Sequence, residues 1–129
     1  MILFKTPRIE KEFYFDTGIK ERLRKIIYMI SLFCELEFGK DITLTELYRT
    51  QHEQDVYYSD SERYKQKPWK SVHQYGRGVD IRSRDFTHEE VEILLDFINN
   101  ITYKKTSKKY KTAIHHDIGI GEHFHIQTK

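Results

Sequence analysis

A chain of 129 residues is the size of one domain with a real core, which excludes two independent domains. With 38% apolar and 14% aromatic residues it is too hydrophobic for a disordered tail, and a formal net charge of +2 gives no concentrated basic face for a nucleic-acid backbone. No stretch approaches the roughly 20 apolar residues of a membrane span, and Met1-Ile2-Leu3-Phe4-Lys5 does not open a signal peptide. The expectation is a single soluble domain over residues 1–129.

Residues 1–15 mix charge with Phe4, Phe13, Tyr14 and Phe15 without a clear period, so they are expected to wrap the body of the domain. Ile19, Leu23, Ile26, Ile27, Ile30, Phe33 and Cys34 then recur at helical spacing, with Asp16 or Thr17 as cap and Gly39 as a left-handed stop. Cys34 is the single cysteine; it has no partner for an internal disulfide and is expected in the core. From Asp41 to Arg49, Ile42, Leu44 and Leu47 stand against Thr43, Thr45 and Glu46, which predicts a strand. Gln51 to Tyr58 follows as a short helix, and the polar stretch Ser59 to Lys70, with Pro68, as a surface loop.

Gly78 to Arg82 predicts a strand with Val79 and Ile81 on one face and Gly78, Asp80 and Arg82 on the other. Thr87-His88-Glu89-Glu90 is a capping box ahead of Val91, Leu94, Leu95, Ile98 and Ile101, a helix expected to end near Asn100. Lys104, Lys105, Lys108, Lys109 and Lys111 read as a solvated loop. Thr112 to Asp117 and Glu122 to Thr128 predict two short strands around Ile118-Gly119-Ile120-Gly121, a hairpin. This order implies an α+β fold: a small antiparallel sheet with helices packed on one side and the other face open for a site.

Five of the seven histidines lie in two segments, Ser71–Asp80 and the last fifteen residues. Catalytic zinc usually takes three His, Asp or Glu ligands and keeps a fourth position open. His73, Asp80 and His125 meet that count, with Gly76 and Gly78 letting the backbone turn between the first two. His123 shares a strand face with His125, so either histidine can be the third ligand. Glu122 is a natural general base. In an ideal strand, however, it faces away from both histidines and reaches the site only if the strand's start bends. Otherwise His123 is the better acid/base or oxyanion donor. Arg49, at its strand's end, suits a bidentate clamp on a substrate carboxylate, against the plainer reading of a structural ion pair. His115 and His116 read as ordinary strand residues, His52 and His88 as surface residues, and Trp69 and Tyr75 as cleft lining or packing.

Ser71-Val72-His73-Gln74-Tyr75-Gly76-Arg77-Gly78-Val79-Asp80 is similar to the SxHxxGxAxD motif of the zinc D-alanyl-D-alanine peptidases. That group comprises cell-wall carboxypeptidases, dipeptidases and phage endolysins, and its superfamily includes the hedgehog signalling domain and lysostaphin-type enzymes. Glu122-His123-Phe124-His125 resembles both the ExxH element of the family and the HxH of its hedgehog and lysostaphin-type branches. Thr45 to Gln54 resembles its arginine segment, in which an arginine is followed by Ser or Thr and a later Gln, with Arg49 and Thr50 in place. The resemblance spans roughly residues 42 to 128. Gly78 departs from the family's usual Ala, and Phe124 stands where a Trp is common. Some phage branches place the ligand one step earlier, which keeps His123 open as the alternative.

The resemblance implies a hedgehog-like or D-Ala-D-Ala-peptidase-like fold, zinc on His73, Asp80 and His125, Glu122 as base, and Arg49 and Ser71 toward substrate. It implies a metallopeptidase cutting bonds next to D-amino acids in peptidoglycan stem peptides or cross-links. A small chain with no signal peptide suits a phage-borne enzyme that meets the wall after release. The alternative is a non-catalytic zinc-binding module docking on a wall or assembly partner.

Overall fold

The computed structural model describes residues 1–101, 112–117 and 121–128. The lysine run and Ile118 to Ile120 lie outside these residues. Strand β1 (Ile2–Phe4) is followed by helices α1 (Pro7–Phe15) and α2 (Glu21–Phe38), then β2 (Ile42–Glu46), α3 (Gln51–Tyr57) and α4 (Glu62–Gln66). A 3-10 turn over Val72–Tyr75 leads into β3 (Gly78–Arg82), and α5 (His88–Ile101), β4 (Ala113–Asp117) and β5 (Glu122–Gln127) complete the order.

Residues 1–15 do more than wrap the domain. Thr6 caps α1 by accepting the N–H of Ile9, Pro7 opens it, and Ile9 and Phe13, four residues apart, are its buried apolar pair. Two buried positions are too few to show a period in the sequence. Helix α2 carries the expected stripe and ends on Gly39 at φ 65°. Its cap differs from expectation. Asp16 closes α1 and accepts the N–H of Gly18, while Lys20 precedes α2 with no side-chain cap. Arg24 supplies the missing order by donating to the carbonyls of Glu12, Phe13, Asp16 and Ile19 across the α1–α2 turn. The region from Ser59 to Lys70 is not all loop: Ser61 caps α4, whose Tyr64 is buried.

Among the described residues the sheet has five strands in the order β1-β2-β3-β5-β4, with β2, β3, β5 and β4 antiparallel as expected. The added strand β1 pairs in parallel with β2, so the sheet is mixed. Two helices separate β1 from β2 in sequence, a connection long enough for the crossover that parallel pairing needs. Ile42, Leu44, Val79, Ile81, Phe124 and Ile126 join Ile27, Ile30 and Cys34 of α2 and Leu94 and Ile98 of α5 in one buried cluster. Each fully buried aliphatic side chain contributes about 1.5–3 kcal/mol relative to exposure. With one face spent on this core, alternation leaves Asp80, Arg82, His123 and His125 on the other.

Gly78 is tightly enclosed: a Cβ there would lie 2.5 Å from Cγ2 of Val72, whose β-branched side chain has little rotamer freedom. Gly78→Ala is therefore expected to cost about 1–3 kcal/mol by overpacking. In a Val72→Ala background the same change should cost less, and equilibrium denaturation of the four proteins in this cycle measures the difference.

Candidate metal centre

Ser71 accepts the N–H of His73 while Gln74 accepts the N–H of Ser71, a capping box that locks the 3-10 turn. The turn stops at Gly76, which adopts φ 66°, and a Cβ there would fall 1.9 Å from the Gly18 carbonyl oxygen. The chain can then reverse into β3 and bring Asp80 under His73. Strand pairing does the rest, because Asp80 lies opposite His125 in the β3–β5 ladder.

His73 Nε2 lies 3.3 Å and His125 Nδ1 2.9 Å from the same oxygen, Asp80 Oδ1. His73 and Asp80 are buried and His125 is half-buried; their ligand atoms lie within 4.8 Å of one another. His73 Nδ1–H donates to the Leu47 carbonyl at 2.9 Å, which fixes the ring and leaves Nε2 turned to the centre. Burial by itself would raise the Asp80 carboxyl, but hydrogen bonds from His125 and His73 outweigh it and hold the group well below the usual carboxylate range. Burial likewise opposes the charged form of His73, and Asp80 reverses the balance, raising His73 above its ordinary value. Two imidazoles around one carboxylate, one ring already tied by its outer nitrogen, form a donor set that fits a divalent transition metal such as zinc.

The chain has no match among protein-family models, curated proteins or solved structures. The centre therefore has to be read from its own geometry.

His123 stands beside it, with Nε2 3.7 Å from Asp80 Oδ2 and Nδ1–H donating to the Gly121 carbonyl at 3.2 Å. The grouping at ligand spacing is His73, Asp80 and His125. Glu122 is exposed at the start of β5 and pairs in regular register with Asp117, as His123 does with His116. The register is regular there, and by alternation the Glu122 side chain starts on the face opposite His123 and His125. Arg49 is 4% exposed and spent on the protein itself. Its Nε and Nη2 each donate to Glu46 at 2.7 Å, Nη1 donates to Gln54 at 2.7 Å, and the guanidinium sits 4.5 Å over Tyr57. Burial works against its charge and the Glu46 pairing more than restores it. Ser71 serves as the cap described above. Trp69 packs with Tyr58 and Tyr64, and His52 and His88 are exposed. His115 faces Phe124 and Ser83, away from the centre.

Two residues join the site that the sequence reading passed over. His116 lies opposite His123 in the β4–β5 ladder, its ring 4.6 Å from that of His123 and 5.8 Å from that of His125. Burial, then the neighbouring His123, lowers its pKa. Asp117 pairs with Glu122, and that register places His116 beside His123; the spacing of the two segments, four residues apart in the sequence, was the available signal. The other is Glu46. Leu44 pairs with Ile81 and Glu46 with Asp80, so β2 advances two residues while β3 advances one. This bulge turns Glu46 out of the core and onto the face of Asp80. Its Oε2 lies 3.9 Å from His73 Nε2. Glu46, Tyr57, Asp80, Arg82 and His123 share a cleft of about 1060 Å³, which Glu122 also lines. The Tyr57 hydroxyl in this cleft is buried without a hydrogen-bond partner among the described residues, and burial pushes it up to about 12.

Proposed function

We propose that the protein is a zinc metallopeptidase of the D-alanyl-D-alanine peptidase type, hydrolysing peptide bonds next to D-amino acids in peptidoglycan, on a hedgehog-like fold. The observation that carries this reading is the His73–Asp80–His125 grouping beside an open cleft, taken with the motif that surrounds it. His73, Asp80 and His125 would hold the ion. When bound, zinc polarises the scissile carbonyl and makes a nearby water a better nucleophile. His123, whose Nε2 stands on the side of Asp80 Oδ2, is placed to steady the carbonyl oxygen as negative charge grows there. Arg82 lies opposite His123 on the same face and lines the cleft. The substrate-carboxylate contact expected of Arg49 falls to Arg82.

A non-catalytic zinc module docking on a wall or assembly partner is the second reading. It gains support from Arg49 being buried and Glu122 starting on the opposite face. One experiment separates the two: measure zinc per chain, then digest purified peptidoglycan and identify products by mass spectrometry. Hydrolysis predicts one zinc and newly shortened or opened stem peptides. One zinc with an unchanged digest favours the module, and a chain that takes up no zinc sinks both.

A further inference from the structure

We infer that Glu46, oriented by Arg49, is the carboxylate that holds the attacking water and accepts its proton, the role the sequence motif gives to Glu122. The inference rests on the hydrolytic reading above and deepens it. Three observations converge. The β2 bulge sets Glu46 opposite Asp80, on the face that carries His123 and His125. Its Oε2 is 3.9 Å from His73 Nε2, and it is absent from the grouping whose ligand atoms lie within 4.8 Å of one another. That places it next to the centre but outside the ligand grouping. Finally, Arg49 grips both Glu46 oxygens at 2.7 Å while Gln54 holds the guanidinium from the other side. A carboxylate with 26% of its side chain exposed into the cleft and both oxygens anchored is preorganised to receive a hydrogen bond.

In the step itself, the water gives one proton to Glu46 and its oxygen bonds to the scissile carbonyl carbon. The C–N bond then breaks, the amine nitrogen takes that proton, and the products are an amine and a carboxylic acid, which releases the water's second proton to solvent. Glu46 ends as it began. Arg49 touches none of the reacting atoms and acts as a positioning residue.

The test uses the full chain as wild type, Glu46→Gln, Glu46→Asp and Glu122→Gln. Zinc affinity is measured by chelator competition, and kcat and KM on muropeptides. Glu46→Gln should still take up one zinc per chain, bind it about 10-fold more weakly through the lost outer carboxylate, and lose about 10²–10⁴ in kcat with KM little changed. Glu46→Asp keeps the charge and the fold but withdraws the carboxylate by about 1 Å, expected to lower kcat about 100-fold. Wild-type kcat in either folded Glu46 variant overturns the inference, as does a loss confined to Glu122→Gln. Failure of the wild type itself to bind zinc or to cleave overturns the hydrolytic reading and this inference with it.

Discussion

Asp80→Asn is expected to abolish tight zinc binding while leaving the sheet assembled. Asp80 is the one carboxylate in the His73–Asp80–His125 grouping, and both rings converge on its Oδ1. Asparagine has the same shape but no charge, and its amide can still meet one ring. The ladder that places it, Val79 opposite Ile126 and Ile81 opposite Phe124, is untouched. The lost charge-assisted hydrogen bonds should cost about 1.5–3 kcal/mol of metal-free stability. Losing a partner one shell further out weakens metal binding about 10–100-fold, so removing this ligand should exceed about 100-fold. In the wild type, free zinc at about 100 times its dissociation constant adds about 2.7 kcal/mol, a rise in Tm of about 10 °C. The variant should show no such rise. Calorimetric melting with zinc and with chelator reads both effects, and a variant stabilised by zinc as fully as the wild type would place the centre elsewhere.

The second large effect is on stability. Arg49→Met is expected to destabilise the fold by about 3 kcal/mol, the lower end of the range for breaking a buried pair because Glu46 keeps partial contact with water. The substitution keeps an unbranched stem against Tyr57 but strands the Glu46 carboxylate and the buried Gln54 side chain, which loses its donor. A melting temperature lower by about 10 °C follows. Adding Glu46→Gln to Arg49→Met should recover part of the loss, since no unpaired charge then remains. Chemical denaturation of the two single variants and the double variant gives the coupling. A cost under about 1 kcal/mol for Arg49→Met would class the pair with surface ion pairs and remove the anchor assigned to Glu46.

Much of the fold was readable because local signals agreed. The apolar stripe of α2 with Gly39 behind it, the Thr87–Glu90 capping box of α5 and the Val79/Ile81 alternation of β3 all appear as predicted. The antiparallel pairing of β4 with β5 appears as well. The short N-terminal strand and helix were not legible. Their stability comes from pairing β1 with β2 and from burying Ile9 and Phe13 in the shared core, contacts with segments remote in sequence.

The candidate site divides in the same way. The residue types and spacing of Ser71–Asp80 and Glu122–His125 sufficed to nominate His73, Asp80 and His125, since a 3-10 turn ending on glycine and a strand place groups by local geometry alone. Even the bulge left a trace: Ile42, Leu44 and Leu47 break a strict two-residue period at Thr45–Glu46. The trace could not say where Glu46 would point, because that depends on which residue of β3 it meets. Pairing across the sheet and burial decided the remaining roles. They brought His116 and Glu46 to the face of Asp80, started Glu122 on the other, and enclosed Arg49 with Glu46 and Gln54. A sequence states which groups are available within a few residues; register and desolvation, which arise only when distant segments meet, determine which of them face one another.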